Sequence, residues 1–139
     1  MRKKICFDAY AILCYVQGEP GGQRVKDILT ACREEQMTSC ISKLNLGEVY
    51  YKTIRSMGQD QADELLELFN QLPVEQIGLS DELLWSACRL KAHYPMSLAD
   101  CFAAATAMQE KAVLLTGDPE LKQVEDRVQI EWMGSKRSV

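Results

Sequence analysis

Four acidic residues stand out in this sequence because each lies inside an apolar stretch or directly after one. Asp8 and Asp118 follow strand-like runs, whereas Glu48 and Asp100 lie near the start of apolar helical segments. An uncompensated buried carboxylate is costly, and carboxylates that converge on one pocket also repel one another. A hard divalent cation such as Mg²⁺ or Mn²⁺ relieves that repulsion. The pattern therefore predicts a metal site built from oxygen ligands.

A site of this kind favours the hydrolysis of a phosphodiester. A bound cation activates water, orients the phosphate and neutralises the charge that develops on the phosphoryl oxygens, and two ions can stabilise both the attacking and the leaving oxygen. Other chemistries lack the residues they need. The single histidine, His93, has no triad partner near it, and we interpret it as a structural or surface residue. The sequence also has no glycine-rich phosphate loop.

Each of the four acids also has an ordinary structural explanation. Asp8 would cap the helix that follows it, and Asp118 is a good N-cap because a proline comes next. Glu48 is spaced to pair with Lys52 one helical turn later. Ser97 and Asp100 together approximate a capping box. These explanations compete with the metal site for each acid taken alone, but they do not explain why all four are embedded in apolar sequence.

The elements that must position these acids are predicted by the spacing of apolar residues. Amphipathic helical patterns alternate with short β-compatible runs, which indicates an α/β fold with a mainly parallel sheet. In such sheets, functional residues gather at the carboxyl ends of the strands. The predicted strands are Lys3 to Phe7, Met37 to Ile41, Val74 to Leu79, Ala112 to Thr116, and Val128 to Trp132.

Composition limits the class of protein. The 139 residues fit one domain, with 47% hydrophobic and 26% charged residues and a net charge of −4. That charge argues against indiscriminate nucleic-acid binding but allows a local basic rim. No apolar run approaches the roughly 20 residues of a membrane span, and Asp8 interrupts the stretch behind the basic start, so we expect no secretory signal. The six cysteines form no C-x-x-C pair, which favours reduced thiols in a cytoplasmic protein.

The four acids lie in four segments, which are I-C-F-D at 5–8, L-G-E-V at 46–49, S-L-A-D-C-F-A-A-A-T-A at 97–107 and L-T-G-D-P-E at 115–120. These segments resemble the acidic motifs of PIN domains, most closely those of VapC-like toxins from toxin–antitoxin pairs. The resemblance covers nearly the whole chain, in the expected order and at suitable separations. The last two segments are the most specific when they are taken together.

The resemblance implies a single PIN-like nuclease domain over residues 1–139, with three α/β/α layers around a mainly parallel sheet and a flexible tail at the last few residues. It also implies an endoribonuclease that depends on Mg²⁺ or Mn²⁺, with one or two ions. The expected partners are an RNA substrate, a cognate antitoxin that reaches into the acidic pocket, and a second copy of the chain as a homodimer. No membrane partner is expected.

Carried over position by position, the resemblance identifies the acidic cluster as the catalytic and metal-binding site. Asp8 and Asp100 are the principal metal ligands. Glu48 and Asp118 complete the cluster, and Thr116 is a supporting hydroxyl. The basic residues nearest the motifs could neutralise phosphates, although each is also typical of a solvated helix surface; they are Lys43, Lys52, Arg55 and Lys122.

One departure from the family pattern concerns the residues after the first aspartate. Family members often carry serine or threonine directly after it, whereas Ala9 and Tyr10 occupy these positions here. A supporting hydroxyl is therefore missing unless Tyr10 supplies it. We expect the acidic cluster to remain intact and the affinity for metal to be affected.

Two other functions compete with the nuclease. The first is a non-catalytic PIN-like module whose acidic pocket only docks a basic partner protein. The second is a phospho-acceptor signalling domain, which also clusters acids at strand ends. That domain would need a phospho-accepting aspartate after a middle strand and a lysine after a late one, and the middle strand here ends at Ser80 and Asp81. Fold analogy alone is poor support for it.

Overall fold

The central sheet contains five parallel strands in the order β3-β2-β1-β4-β5. The structure is a computed structural model that describes residues 2–134, so the predicted flexible tail lies outside the described residues. The prediction of a mainly parallel sheet is confirmed. The strands are β1 Lys3–Phe7, β2 Met37–Ser42, β3 Glu75–Ile77, β4 Val113–Thr116 and β5 Ile130–Trp132.

The helices lie between the strands along the chain, as the spacing of apolar residues predicted. Serine side chains cap several of them; for example, Ser42 accepts the backbone N–H of Leu44 at 3.1 Å, and Ser80 accepts that of Leu83 at 3.1 Å. Such caps satisfy N–H groups that have no partner within the helix. The helices are α1 Ala9–Val16, α2 Gly22–Arg33, α3 Lys43–Met57, α4 Gln59–Phe69, α5 Asp81–His93, α6 Leu98–Glu110 and the 3₁₀ helix Pro119–Val124.

The two edge strands are shorter than the sequence predicted. The strand predicted from Val74 to Leu79 is shorter in the structure, where it is β3. It ends at Ile77 because its pairing partner, Ser42, is the last residue of β2. The last strand likewise narrows to β5, whose pairing with β4 runs from Ile130 to Trp132. A strand with one neighbour can extend only as far as that neighbour provides backbone partners.

The core has two halves, one on each face of the sheet, because successive strand residues point to opposite faces. Ile5, Phe7 and Leu115 pack against α1, α2 and α3 on one face. Cys6 and Leu114 pack against α5 and α6 on the other. This arrangement is the α/β/α architecture, and it leaves the carboxyl edge of the sheet open between the layers.

The packing of α1 against α2 depends on Gly22. A Cβ at this position would lie 2.7 Å from Tyr15 Cα and 2.8 Å from the Cys14 carbonyl oxygen, both backbone atoms. We expect Gly22→Ala to lower the free energy of unfolding by about 1–3 kcal/mol, because the two helices must move apart. Urea unfolding monitored by circular dichroism measures the change.

Gly47 provides a matched control for that substitution. It lies inside α3, and a Cβ there would meet nothing within 4 Å. Gly47→Ala should therefore raise the free energy of unfolding by up to about 1 kcal/mol, since alanine favours the helix. Equal urea midpoints for the two variants would show that the contact between α1 and α2 is looser than described.

The described residues carry two further features that bear on the protein's environment. Among residues 2–134, no helix is both long enough and apolar enough to cross a membrane. The six cysteines all lie in this part of the chain and are free thiols, as their spacing predicted.

Candidate metal centre

The four predicted acids line one pocket at the carboxyl edge of the sheet. Asp8 directly follows β1, and Asp118 comes two residues after β4. Glu48 lies on α3 and Asp100 in the first turn of α6, so the two helices bring their carboxylates in from the sides. The fold thus gathers side chains that are up to 110 positions apart in the sequence.

Asp8 is almost completely buried, with 2% of its surface exposed. Its Oδ1 accepts the backbone N–H of Ala11 at 2.8 Å and so caps α1, while its Oδ2 accepts the hydroxyl of Thr116. Burial raises the pKa of Asp8 to about 7, although both hydrogen bonds act in the opposite direction. The negative charges of Asp118 and Glu48 raise it further. The carboxylate of Asp8 therefore has both roles: it caps α1, as the ordinary explanation predicted, and it is a buried acid of the pocket.

Asp100 is the acid whose environment most needs a cation. It is 8% exposed, and its Oδ2 is buried with no hydrogen-bond partner among residues 2–134. Burial, followed by the nearby carboxylates of Asp118 and Glu120, raises the pKa of Asp100 to about 8. Ser97 caps α6 through the backbone N–H of Asp100, at 3.1 Å, so this carboxylate is not needed as a cap.

The ordinary explanations also hold for the other two acids. Asp118 Oδ1 accepts the backbone N–H of Glu120 at 3.0 Å and caps the 3₁₀ helix. Glu48 Oε2 pairs with Lys52 Nζ at 3.0 Å, one turn along α3. Each of these contacts engages one carboxylate oxygen of the acid. Local structural roles and convergence on a shared pocket are therefore compatible.

Glu120 is an acidic residue of this pocket region that the sequence analysis did not single out. Carboxylate oxygens of Asp100, Asp118 and Glu120 lie within 4.8 Å of one another, close enough to share an ion. Glu120 Oε1 also accepts the backbone N–H of Ser97 at 3.3 Å, which links the 3₁₀ helix to the start of α6. The available signal was its position two residues after Asp118, at the end of the L-T-G-D-P-E segment.

Asn45 is a second residue that the sequence did not reveal. It is buried on α3, and its Nδ2 donates to the carbonyl oxygen of Ala99 at 3.0 Å, immediately before Asp100. This hydrogen bond ties the helix of Glu48 to the helix of Asp100. Nothing in the local sequence indicates it, because the two partners are 54 positions apart.

A hydroxyl from a neighbouring strand contacts Asp8. Thr116, fully buried at the end of β4, donates its hydroxyl to Asp8 and accepts the backbone N–H of Asp118 at 3.0 Å. It therefore joins the two acids that follow neighbouring strands. Tyr10 instead lies at the pocket wall with 45% of its surface exposed.

The other predicted residues are placed less centrally. Lys52 lines the pocket, and the Arg55 guanidinium lies 5.0 Å from the centre of the Tyr51 ring. Lys43 and Lys122 are exposed. The single histidine lies in the last turn of α5, exposed and outside the pocket lining, in agreement with its interpretation as a surface residue.

The chemistry of the donors fits a hard cation. The candidate ligand atoms are all carboxylate oxygens, which are the ligands that Mg²⁺ and Mn²⁺ prefer. The buried oxygen of Asp100 has no other partner among the described residues, and the raised pKa values of Asp8 and Asp100 show that their negative charges are poorly compensated by the protein alone. A divalent ion would provide both the missing partner and the missing charge.

Comparison with known proteins identifies the fold independently of this geometry. The sequence model of the PIN domain matches residues 5–127. A search of curated protein sequences finds no match. The similarity to solved structures is extensive in coverage although low in sequence identity.

Three of the similar structures illustrate this. One from VapBC2 of Rickettsia felis, bound to a promoter DNA fragment, is 17% identical with a TM-score of 0.72, covering 94% of this chain and 98% of the other. DNA-bound VapBC of Salmonella typhimurium is 19% identical with a TM-score of 0.69, and the match covers 94% of this chain and 98% of the other. VapC20 of Mycobacterium tuberculosis is described as a toxin that cleaves the sarcin–ricin loop. It is 14% identical with a TM-score of 0.69, and the match covers 86% of this chain and 94% of the other.

Proposed function

This chain belongs to the PIN-domain family, and on that premise we propose that it is a Mg²⁺- or Mn²⁺-dependent endoribonuclease, the toxin of a toxin–antitoxin pair. The observation that carries the proposal is the convergence of the acidic side chains on one pocket, with a buried Asp100 oxygen that lacks a partner among residues 2–134. A buried carboxylate oxygen without a partner is costly, and a bound cation would supply both the missing contact and the missing charge.

The residues that would hold the cation are the acids of the pocket. We assign Asp8 and Asp100 as the principal ligands, with Asp118 and Glu48 completing the set and Glu120 close enough to contribute. When bound, one or two ions would activate water and neutralise the charge that develops on the phosphoryl oxygens of RNA.

Other side chains would hold the acids in position or contact the phosphates of the RNA. Thr116 fixes the orientation of Asp8, and Asn45 fixes the spacing between α3 and α6. Lys52 is placed at the pocket to contact a phosphate of the substrate, which would draw it away from Glu48. Three exposed basic residues would extend this contact to neighbouring phosphates; they are Lys43, Arg55 and Lys122.

Purified protein incubated with end-labelled RNA tests the proposal. We expect cleavage in Mn²⁺ and none in EDTA, because the activated water depends on the ion. Cleavage should fall about a hundred- to a thousandfold in Asp8→Asn and in Asp100→Asn. Identical RNA ladders from wild type and both variants, with and without Mn²⁺, would instead favour the non-catalytic module whose pocket docks a basic partner.

The hydroxyl of Thr116 gives a finer test of how the site is built. Thr116→Val removes the donor to Asp8 and the acceptor for the Asp118 N–H while keeping the shape of the side chain. We expect RNA cleavage to fall by about 10- to 100-fold, the usual cost of losing a partner that orients a metal ligand.

Thr116→Ser is the matched control, since it keeps the hydroxyl and should retain most of the cleavage rate. Far-ultraviolet circular dichroism checks that both variants fold. Equal cleavage by the valine and serine variants would show that the hydroxyl does not position the acids.

The partners we propose follow from the fold and the pocket. We propose that a cognate antitoxin binds this chain, on the strength of its fold similarity to solved VapBC structures, and that basic side chains of the antitoxin enter the acidic pocket and block it. We further propose a homodimer acting in the cytoplasm, where the six free thiols would stay reduced. Size-exclusion chromatography with light scattering measures the oligomeric state.

A further inference from the structure

Tyr10 is an aromatic residue that the acidic cluster does not use. It lies in the first turn of α1, two residues after Asp8, and lines the same pocket as the acids. About half of its surface is exposed, although a tyrosine that served only to fill the core would be covered. Its position beside the site therefore needs an explanation of its own.

The position of the Tyr10 ring is set by Gly117. A Cβ built at Gly117 would overlap the ring, lying 2.8 Å from Cζ and 3.0 Å from Cδ1 and closer still to Cε1. The ring thus packs directly on the backbone between Thr116 and Asp118, the two residues that link β4 to the acidic cluster. Glycine is the residue that allows this approach, because any side chain would displace the ring.

Part of the ring contacts this backbone, and 45% of the surface of Tyr10 is exposed at the pocket that the acids line. A flat aromatic surface next to a phosphodiester-binding pocket matches the shape of an RNA strand, in which each phosphate carries a base on the adjoining sugar. Bases stack on tyrosine with little sequence preference, because every base has a π-face.

We propose that Tyr10 is a substrate-positioning residue that stacks an unpaired RNA base next to the phosphate held at the acidic pocket. The inference rests on the proposed nuclease function and adds to it a residue that positions the substrate, whose stacked base must be free to leave its duplex. A base held inside an A-form helix is covered on both faces and cannot reach the ring.

The part of α3 that follows Glu48 carries further groups suited to a nucleic-acid partner. Tyr51, also about half exposed, lies one turn after Glu48, and the Arg55 guanidinium is held 5.0 Å from its ring centre. Lys52 lies between them in sequence and lines the pocket. Aromatic rings interleaved with cations are typical of surfaces that bind single-stranded nucleic acid.

Binding to two oligonucleotides tests the stacking. The protein carries Asp100→Asn, which should slow cleavage enough for binding to be measured. It is titrated with a fluorescein-labelled oligouridylate or with an abasic strand of equal length, both about ten nucleotides. Anisotropy measures the dissociation constant. We expect Tyr10→Leu to bind the oligouridylate about tenfold more weakly, and to bind the abasic strand as well as its parent does.

Tyr10→Phe is the matched control, because it keeps the ring and should bind both strands as the parent does. Equal affinities of the Tyr10→Leu variant and its parent for the oligouridylate would overturn the stacking. An equal loss of affinity for the oligouridylate and the abasic strand would also overturn it, because that loss would come from a change in the pocket wall. Failure of the wild-type chain to cleave RNA in Mn²⁺ would overturn the proposed function instead, and the binding comparison is independent of cleavage.

A double substitution tests the contact that positions the ring. Gly117→Ala should weaken oligouridylate binding about as much as Tyr10→Leu, because the new methyl group pushes the ring away. In a Tyr10→Ala background, which removes the clash, Gly117→Ala should change neither the binding nor the melting temperature further. Additive losses in the double variant would show that the two residues act separately, and would contradict the ring position on which the proposal depends.

Discussion

Replacing Asp100 by asparagine is expected to change activity and stability in opposite directions. The variant should cleave RNA about a hundred- to a thousandfold more slowly, because it loses a charged ligand of the proposed ion. In EDTA at pH 8 it should nevertheless melt about 5 °C higher than wild type, because a buried negative charge has been removed. Few substitutions in an ordinary core have this combination of effects.

The stabilisation follows from the raised pKa of Asp100, which burial and the carboxylates of Asp118 and Glu120 bring to about 8. The charged form is therefore favoured in the unfolded chain relative to the folded one. Asparagine has nearly the same shape and no charge, so it removes that penalty. Its amide N–H groups can also donate to the neighbouring carboxylates, where the aspartate offered only like charge.

Asp126→Asn is the control for this experiment. Asp126 is an exposed aspartate outside the pocket, so its substitution should alter neither the cleavage rate nor the melting temperature appreciably. Differential scanning fluorimetry and a gel-based cleavage assay give the two readouts. A metal-free Asp100→Asn protein that melts below wild type would show that the acid is structurally required, and would argue against the cation site.

The stability of the metal-free protein should fall as the pH rises, and divalent metal should reverse the loss. The pKa values of Asp8 and Asp100 are raised to about 7 and about 8 in the folded chain, whereas both groups titrate near pH 4 when unfolded. Between these values the folded state holds more protons than the unfolded state. Its stability is therefore fully present below about pH 4 and declines progressively up to about pH 8.

Binding of Mn²⁺ should oppose this decline. At a concentration about 100 times its dissociation constant, a ligand that binds only the folded state stabilises it by about 2.7 kcal/mol, which is about 8–10 °C for a chain of this size. The increase should shrink towards pH 5.5, because the ion must displace protons from the two acids. Thermal melts across the pH range, in Mn²⁺ and in EDTA, measure both effects. Melting temperatures in the two buffers that coincide at every pH would contradict a preformed site.

The elements of the fold follow from local patterns in the sequence. The apolar spacing in α2, the serine caps before α3 and α5, and the four-residue run that becomes β4 each involve neighbours within a few positions. The edge strands were predicted too long because their ends depend on pairing with another strand, and a pattern in one segment carries no information on its neighbour's length.

The acidic residues were identified because buried charge is conspicuous against apolar sequence, but the contacts that join them were not. The hydroxyl of Thr116 reaches Asp8 across 108 positions, and Asn45 reaches Ala99 across 54. Each of these partners also fits an ordinary helix or strand. Side chains that meet only in the folded chain leave no periodicity to detect, so their pairing could be seen only in three dimensions.

The fit of Tyr10 to Gly117 was missed for the same reason. The sequence drew attention to Tyr10 only because it follows Ala9, a position where the resemblance predicts serine or threonine. Its packing on the turn after β4 depends on two strands being neighbours, which the sheet order supplies.

Titration with Mn²⁺, monitored by the electron paramagnetic resonance signal of the free ion, tests the cation site most directly. Because bound Mn²⁺ contributes little to that signal, we expect wild-type protein to suppress it saturably, with one or two ions per chain, and added Mg²⁺ to restore it by competition. Asp100→Asn should suppress it far less. A free-ion signal that is the same with wild-type protein, with the variant and with buffer alone would contradict a metal centre at these carboxylates.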